Sequence, residues 1–148
     1  PGLVAEKLFD NTFVPVCSPH LGLRDVAELP KHPLIHFRAQ AALSAPIHWA
    51  SWQKLANVPG LDVSAGLVFS DETHAISAAI GAQGVALMSR QLIEDELKEG
   101  RLVQPFGPEM EGKPFHIVYP ESRRDEPTVR AVREWVMKVP GGLCELTG

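Results

Sequence analysis

The sequence predicts an α/β fold, because short apolar segments of strand character alternate with segments of helical periodicity along most of its 148 residues. Between residues 61 and 103 the order is strand, helix, strand, helix, strand, which is typical of parallel βαβ units. The composition, 45% apolar and 22% charged, is that of an ordinary globular protein. A chain of this length can bury a core without disulfide or metal support, so we expect one folded domain.

The first part of the chain contains two strand candidates and two helix candidates. LFDNTFVPVCSP (8–19) predicts one strand closed by a turn, a short helix is expected over 23–29, and LIHF (34–37) resembles a buried parallel strand. The next helix is expected to carry Pro46 in its first turn, with Trp49 and Trp52 on one face. Both indoles are predicted to anchor that helix in the core rather than to stack on a ligand.

The segment that follows contains the candidate site. An extended stretch at 61–69 leads to a helix capped by Ser70 or Asp71, with an apolar stripe facing inward. Gly84 is expected at the left-handed C-cap of that helix, and VALM (85–88) is a buried strand.

The remaining elements follow the same alternation. Ser89 is expected to cap a helix whose residues 92, 93 and 97 face the core, and a strand is expected at 101–103. FHIVYP (115–120) predicts the last strand. A final helix is expected over 128–139, with valines at 129, 132, 136 and 139 on one face.

Charge and apolar patterning exclude several classes of partner. The net charge of −4 argues against a nucleic-acid surface on this part of the protein, since phosphate binding depends on clustered Lys and Arg. No apolar run has membrane-spanning length, and no secretory signal follows Pro1, so no membrane partner is expected. The one basic cluster favours a solvated face or a subunit contact; its members are Arg123, Arg124, Arg130 and Arg133.

Cysteines, histidines and glycines provide no catalytic or cofactor motif. Cys17 and Cys144 are too few for a disulfide framework, which predicts a reducing, cytoplasmic compartment. The six histidines form no H-E-x-x-H or H-x-H motif, so no metal site is predicted. No G-x-S-x-G, P-loop or G-x-G-x-x-G occurs, so we predict no cofactor and no enzyme activity. Cys17, inside an apolar strand, is expected to be inert.

The turn at 69–73 is the candidate ligand site. Ligands of open parallel sheets bind outside the carboxyl ends of the strands, where helix N-termini present free N–H groups. Ser70 and Thr73 add hydroxyls suited to an anionic or carbonyl-bearing small molecule. The alternative is a plain helix cap, which the residues alone favour. Asp71 argues against a simple anion, because its charge already complements the helix dipole.

In order and spacing, several segments resemble the C-terminal part of LysR-type transcriptional regulators, most like the glycine-cleavage-activator subgroup. They are LFDNTFVPVCSP, LIHF, HWASW, FSDETHAISAAIGAQGVALMSRQLIEDELKEGRLVQPF and FHIVYP. The most specific block is 69–106, with its G-x-GVAL and EL-x-x-GRLV-x-PF runs. The resemblance extends over nearly the whole chain.

The resemblance implies a type II periplasmic-binding-protein-like fold with two lobes and mainly parallel sheets, the second lobe near complete and the first partial. Residues 1–16 would end the first lobe and supply a hinge strand, and 17–114 would form the second lobe. Residues 115–140 would supply the second hinge strand and a helix returning to the first lobe, and 141–148 a tail. The implied hinge residues are Val14, Pro15, Val16, Cys17, Ile117, Val118 and Tyr119.

The resemblance also implies partners and a binding site. The effector would be a small metabolite, such as a carboxylate or an amino-acid-like molecule, bound between the lobes of a homodimer or homotetramer. DNA would be bound only through an N-terminal winged helix-turn-helix domain expected before Pro1, so the chain is expected to be truncated. The implied effector-binding residues are Phe69, Ser70, Asp71, Thr73, Val16, Ser18, His36 and Met88.

Two other functions stay open at this stage. A solute-binding protein of a transporter would share the fold, and an export signal upstream of Pro1 would favour it. A small α/β enzyme would use Cys17 or a histidine, and loss of turnover on Cys17→Ser would support it.

Overall fold

The computed structural model describes residues 2–38 and 47–138. The chain forms two compact units, Thr12–Met110 (the large unit) and Pro1–Asn11 with Glu111–Gly148 (the small unit). The chain therefore passes between units at 11/12 and 110/111, some residues before the predicted boundaries at 16/17 and 114/115. The assignment of these segments to the lobes of a binding protein stays a prediction.

The described elements alternate in type along the chain. The strands are β1 (Leu3–Phe9), β2 (Thr12–Val16), β3 (Leu34–Phe37), β4 (Leu67–Phe69), β5 (Val85–Ser89), β6 (Met110–Glu111) and β7 (Phe115–Pro120). The α-helices are α1 (Trp49–Ala56), α2 (Glu72–Ile80), α3 (Glu94–Lys98) and α4 (Pro127–Lys138). Short 3-10 helices lie at Pro19–Leu21, Val26–Lys31, Arg90–Ile93 and Glu121–Arg123. None of the described helices is long and apolar enough to cross a membrane.

The large unit is built on a five-stranded sheet in the order β4-β3-β5-β2-β6. β3 is parallel to both β4 and β5, as the βαβ pattern predicts. β2 runs antiparallel to β5, with Phe13 opposite Ser89 and Val16 opposite Ala86. The predicted single strand at 8–19 is wrong, because the chain breaks at residues 10 and 11 into β1 and β2, which join different sheets.

Two apolar layers cover the two faces of this sheet, following the period of two along each strand. On one face Ile35, Ala86 and Met88 pack with the alanines of α2, and Ile76 and Ile80 lie at the border of that cluster. On the other face, a second cluster contains Leu34, Val85, Cys17, Trp49 and Trp52, among others. β5 is covered on both sides, which accounts for the continuous apolar run VALM.

Helix α1 carries the two indoles into the second apolar layer. Trp49 and Trp52 are buried and meet edge to face, with ring centroids 5.3 Å apart. Trp49 Nε1 donates to the Ile35 carbonyl at 3.0 Å, and Trp52 Nε1 donates to the Pro108 carbonyl at 2.9 Å. The prediction that they anchor the helix is confirmed. His48 caps the helix, and the expected Pro46 lies outside the described residues.

Gly84 has a different role from the predicted C-cap. Helix α2 ends at Gly81, and the left-handed residue after it is Ala82, with φ 58°. Gly84 is buried at the start of β5, where a Cβ atom would lie 2.4 Å from the Pro33 carbonyl oxygen. That carbonyl accepts the Val85 N–H at 2.9 Å, so glycine is needed for close backbone approach.

Several other boundaries differ from the expected ones because local turns replace regular elements. The helix expected at 23–29 is a 3-10 helix at Val26–Lys31 capped by Asp25, and only Leu67–Phe69 of the extended 61–69 segment is a strand. Ser89 makes no capping hydrogen bond and precedes a 3-10 turn that leaves Leu92 half-exposed. The strand expected at 101–103 is a single bridge between Val103 and Cys17.

The small unit pairs β1 antiparallel with β7 and carries α4. Glu6 of β1 accepts hydrogen bonds from the Tyr119 hydroxyl at 2.8 Å and from Arg133 of α4, whose terminal nitrogen lies 2.6 Å away. These bonds lower the pKa of Glu6 from 4.5 to about 2, and the bond to Arg133 has the largest effect.

The last helix, α4, differs from the expected inward stripe of valines. Val132 is half-exposed, and Val139 lies outside the described residues.

Replacing Gly84 with alanine is expected to destabilise the large unit by about 2 to 3 kcal/mol, since the added methyl group would meet the Pro33 carbonyl in a closed strand pair. Gly22→Ala is the control: it has φ 63° but open space around the missing Cβ, so it should cost only about 1 kcal/mol. Urea denaturation measures both, and equal losses would contradict the proposed steric role.

The Glu6 carboxylate predicts a specific acid response. A pKa lowered by folding contributes stability above the unfolded value of 4.5, and that contribution is lost as the pH falls towards 2. Glu6→Gln should therefore be less stable than the native chain at pH 7, with the difference shrinking between about pH 5 and pH 2. The urea midpoints of the native chain and of Glu6→Gln, measured across this pH range, test the prediction. Glu121→Gln, an exposed change of equal charge in the same unit, should show no such convergence.

Candidate functional site

One edge of the large unit's sheet collects the polar residues that follow its strands. β3 and β4 are parallel, with Phe37 opposite Phe69, and β5 ends at the same edge with Ser89. β2 is antiparallel, so its first residue, Thr12, also lies here. We call this the carboxyl edge; its residues are Thr12, Phe37, Phe69, Ser70, Asp71, Thr73, Ser89, Arg90 and Gln91.

The start of α2 presents donors and hydroxyls at the carboxyl edge. The Asp71 carboxylate accepts the His74 N–H at 3.1 Å, which confirms Asp71 as the cap of the helix. The cap satisfies the His74 amide, whereas helix geometry gives the Glu72 and Thr73 amides no acceptor on a preceding turn. Ser70 and Thr73 are exposed, and Phe69 beside them is half-buried. This turn therefore combines amide donors with two exposed hydroxyls, next to Phe69, which packs against the core.

Two carboxylates make the helix start less positive than a bare N-terminus. Burial, and then the neighbouring charge of Asp71, raise the pKa of Glu72 above its ordinary value. The arrangement is therefore suited to a ligand that offers a positive group as well as an acceptor. This agrees with the sequence argument that Asp71 opposes a simple anion.

A second polar group at the carboxyl edge was missed by sequence reasoning. Gln91 Oε1 accepts the Thr12 N–H at 3.2 Å and lies 3.4 Å from the buried Ser89 hydroxyl. Arg90 Nη1 donates to Gln104 at 3.0 Å and to Glu109 at 2.9 Å. The run Ser-Arg-Gln at the end of β5 was the available signal: it places Ser89 and Arg90 on the ligand side of the sheet, but it does not indicate the contacts of Arg90 and Gln91.

Four predicted effector-binding residues lie away from the exposed part of this edge. Met88 is buried in the core, and the His36 ring reaches back to the Ala65 carbonyl, 2.9 Å from its Nε2. Val16 is paired with Ala86, and Ser18 lies beyond it, towards the amino ends of β3 and β5. Because β2 is antiparallel, each step along it leads away from the carboxyl edge. The buried Ser18 hydroxyl accepts the His20 N–H as a local cap.

The predicted hinge residues lie inside the two units rather than where the chain passes between them. Val14, Pro15, Val16 and Cys17 are buried in the large unit, and Ile117, Val118 and Tyr119 lie in β7 of the small unit. The chain passes between the units at Asn11–Thr12 and Met110–Glu111. Thr12 begins β2 and Met110–Glu111 form β6, so these positions are also held in strands, and the hinge assignment stays a prediction.

Cys17, the cysteine considered as a nucleophile, is poorly placed for chemistry. Cys17 is fully buried, and burial raises the pKa of its thiol to about 11. A thiol with that pKa carries almost no thiolate at neutral pH. Within residues 2–38 and 47–138, no three His, Cys, Asp or Glu side chains group closely enough to hold a metal ion.

Comparison with known proteins identifies the family. The model of the LysR substrate binding domain matches residues 1–140. The chain belongs to this family. The glycine cleavage system transcriptional activator of Escherichia coli K12 is 32% identical over 143 residues, covering 93% of this chain and 45% of that protein. The transcriptional regulator DsdC of the same organism is 35% identical over 111 residues, covering 71% of this chain and 35% of that protein.

Solved structures of LysR family members share the fold. The AmpR effector binding domain of Citrobacter freundii has a TM-score of 0.73 at 24% identity, covering 92% of this chain and 66% of that one. The AmpR effector domain of Pseudomonas aeruginosa has a TM-score of 0.71 at 23% identity, covering 92% of this chain and 64% of that one. The predicted periplasmic-binding-protein-like fold class is thereby confirmed. This LysR-family chain spans less than half the length of the curated relatives it matches.

Burial of Cys17 predicts a thiol that is unreactive in the folded chain. In a Cys144→Ser background, a disulfide reagent at pH 8 should label Cys17 at least about a hundredfold more slowly than in urea, because reaction requires opening of the sheet. The absorbance of the released thiolate measures both rates. Rapid labelling of the folded chain would show an accessible thiolate and would support Cys17 as a catalytic nucleophile.

Proposed function

We propose that this chain is the effector-sensing part of a cytoplasmic LysR-type transcriptional regulator, and that the start of α2 at the carboxyl edge contacts the effector. The observation that carries the proposal is the turn from Phe69 to Thr73, where first-turn amides and two exposed hydroxyls share the sheet edge with Thr12, the entry of the chain into the large unit. Membership of the LysR family supports this reading over a plain helix cap.

The chemistry of the turn favours an amino-acid-like effector over a simple anion. Amide N–H groups at a helix start bind a carboxylate. Asp71 and the partly buried Glu72 add negative charge next to those donors, which attracts an ammonium group and repels an unaccompanied anion. A small zwitterion suits both sets of groups, because its carboxylate accepts from the amides and its ammonium group pairs with the carboxylates. The Ser70 and Thr73 hydroxyls then fix its orientation.

The rival functions have less support. The relatives described above are named as transcriptional regulators, which favours a sensor over the solute-binding protein of a transporter. The buried Cys17 thiol, with its raised pKa, removes the main candidate for nucleophilic catalysis. We therefore propose a non-catalytic domain.

Regulation would follow from differential binding. In the proposed regulator, DNA is bound by an N-terminal winged helix-turn-helix domain and the protein acts as a homodimer or homotetramer. An effector changes the arrangement of such an assembly only if it binds two arrangements with different affinities. Effector affinity and operator affinity must then change together.

The site can be tested by ligand screening of the complete protein. A panel of α-amino acids and matched simple carboxylates is titrated while the melting temperature is followed, since a ligand of the folded state raises it. Amino acids are expected to stabilise the protein more than their carboxylate analogues. Ser70→Ala and Thr73→Val should each weaken the best ligand by roughly ten- to a hundredfold, the loss of one hydrogen bond to a charged group.

Ser77→Ala is the matched control, because it removes a hydroxyl from the same helix one turn further on, where it donates to the Thr73 carbonyl. Its affinity should stay within about twofold of the native protein. If Ser70→Ala and Thr73→Val bind as tightly as Ser77→Ala, the effector site lies elsewhere. If no member of the panel stabilises the protein, the amino-acid class is wrong.

A further inference from the structure

Both points where the chain passes between its two units are held, on the large unit, by adjacent residues after β5. Gln91 Oε1 accepts the N–H of Thr12, the first residue of the large unit, at 3.2 Å. Arg90 Nη1 donates at 2.9 Å to Glu109, one residue before Met110, the last residue of that unit. The adjacent residues Arg90 and Gln91 thus bond the chain close to both points where it passes between the units. We call these points the first crossing (Asn11–Thr12) and the second crossing (Met110–Glu111).

The two crossings are also bonded to each other. The Gly112 N–H, just after the second crossing, donates to the Asn11 carbonyl, just before the first, at 2.7 Å. The two crossings are therefore in direct contact through the backbone as well as each being bonded to residue 90 or 91. This arrangement forms a closed loop of interactions: Thr12 to Gln91, the peptide bond to Arg90, then Glu109 and back through Gly112 and Asn11.

We infer that Arg90 and Gln91 form a junction that couples the two crossings to each other and to the carboxyl end of β5. Neither residue needs to touch a ligand, so both are positioning residues. The junction does not depend on the proposed effector site. Where that site is correct, the junction shares a sheet edge with it.

The two contacts of the junction differ in strength. We call the bond between Gln91 and Thr12 the Gln91 arm, and the ion pair between Arg90 and Glu109 the Arg90 arm. The bond from the Thr12 N–H to the amide oxygen of Gln91 is part-buried beside the buried Ser89, so water competes for it less than at an exposed pair. Arg90 and Glu109 are each about half exposed, with side-chain exposures of 48% and 47%. Exposed ion pairs are weak and are screened by salt. The Gln91 arm should therefore dominate, and only the Arg90 arm should respond to ionic strength.

Amide hydrogen exchange on the complete protein without ligand tests the junction. Gln91→Met keeps the side-chain length but removes the acceptor, and should speed exchange of the Thr12 amide by about tenfold. Arg90→Met should speed exchange of residues 109–112 by about threefold. The deciding result is the cross effect: Arg90→Met should also speed the Thr12 amide by at least about twofold, and about 0.5 M salt should mimic it.

Two controls separate coupling from general loosening. Gln91→Glu retains an acceptor oxygen and should leave Thr12 exchange within about twofold of the native rate. Arg101→Met removes exposed ion pairs to Glu96 and Glu99 in the same unit and should leave both crossings unchanged. Exchange of β5 amides should stay slow in every variant.

Two outcomes would overturn the inference. If Thr12 exchange is unchanged in Gln91→Met, the Gln91 bond does not hold the first crossing. If each substitution affects only its own crossing, the two contacts are independent and there is no junction. Should Gln91→Met fail to fold, the Arg90→Met and salt measurements decide the question by themselves, because an exposed ion pair can be removed without opening the core.

Discussion

The structure depends on how β5 is placed, as a central strand covered on both faces and bordered by neighbours of opposite direction. On one side it is parallel to β3, which brings the ends of β3, β4 and β5 to one edge. On the other side it is antiparallel to β2, which brings the entry of the chain to that same edge. The close backbone approach at Gly84 sets the register of this strand against Pro33. Polar residues distant in sequence thereby become neighbours.

The carboxyl edge contains two groups with different properties. The start of α2 carries the exposed hydroxyls of Ser70 and Thr73 and the carboxylates of Asp71 and Glu72, the groups on which the proposed effector site rests. In the turn after β5, the part-buried Gln91 bonds the Thr12 amide and the exposed Arg90 bonds Glu109, so the polar atoms described there contact the chain itself. The proposed effector contacts and the proposed junction therefore involve neighbouring but separate residues, so a substitution in one group need not impair the other.

The small unit is held by an ion pair that joins distant parts of the sequence. Glu6 precedes the large unit and Arg133 follows it, and Tyr119 of β7 donates to the same carboxylate. The arginine cluster was interpreted as a solvated face or a subunit contact. In the structure, Arg133 contacts Glu6, whereas Arg123, Arg124 and Arg130 are exposed, as a solvated face requires, and Arg123 also bonds Glu126 within its own turn. Clustering in sequence did not indicate a common partner.

The sequence by itself determined the alternation of strands and helices, the buried run VALM, the Trp helix and the cap at Asp71, because each depends on local periodicity or on contacts within one turn. It also carried the motifs that indicate the LysR family. Only the tertiary structure decided the direction of β2, the steric role of Gly84 and the meeting of Gln91 with Thr12. A strand has the same pattern of side chains in either direction, and a contact between residues 79 positions apart depends on how the sheet is assembled.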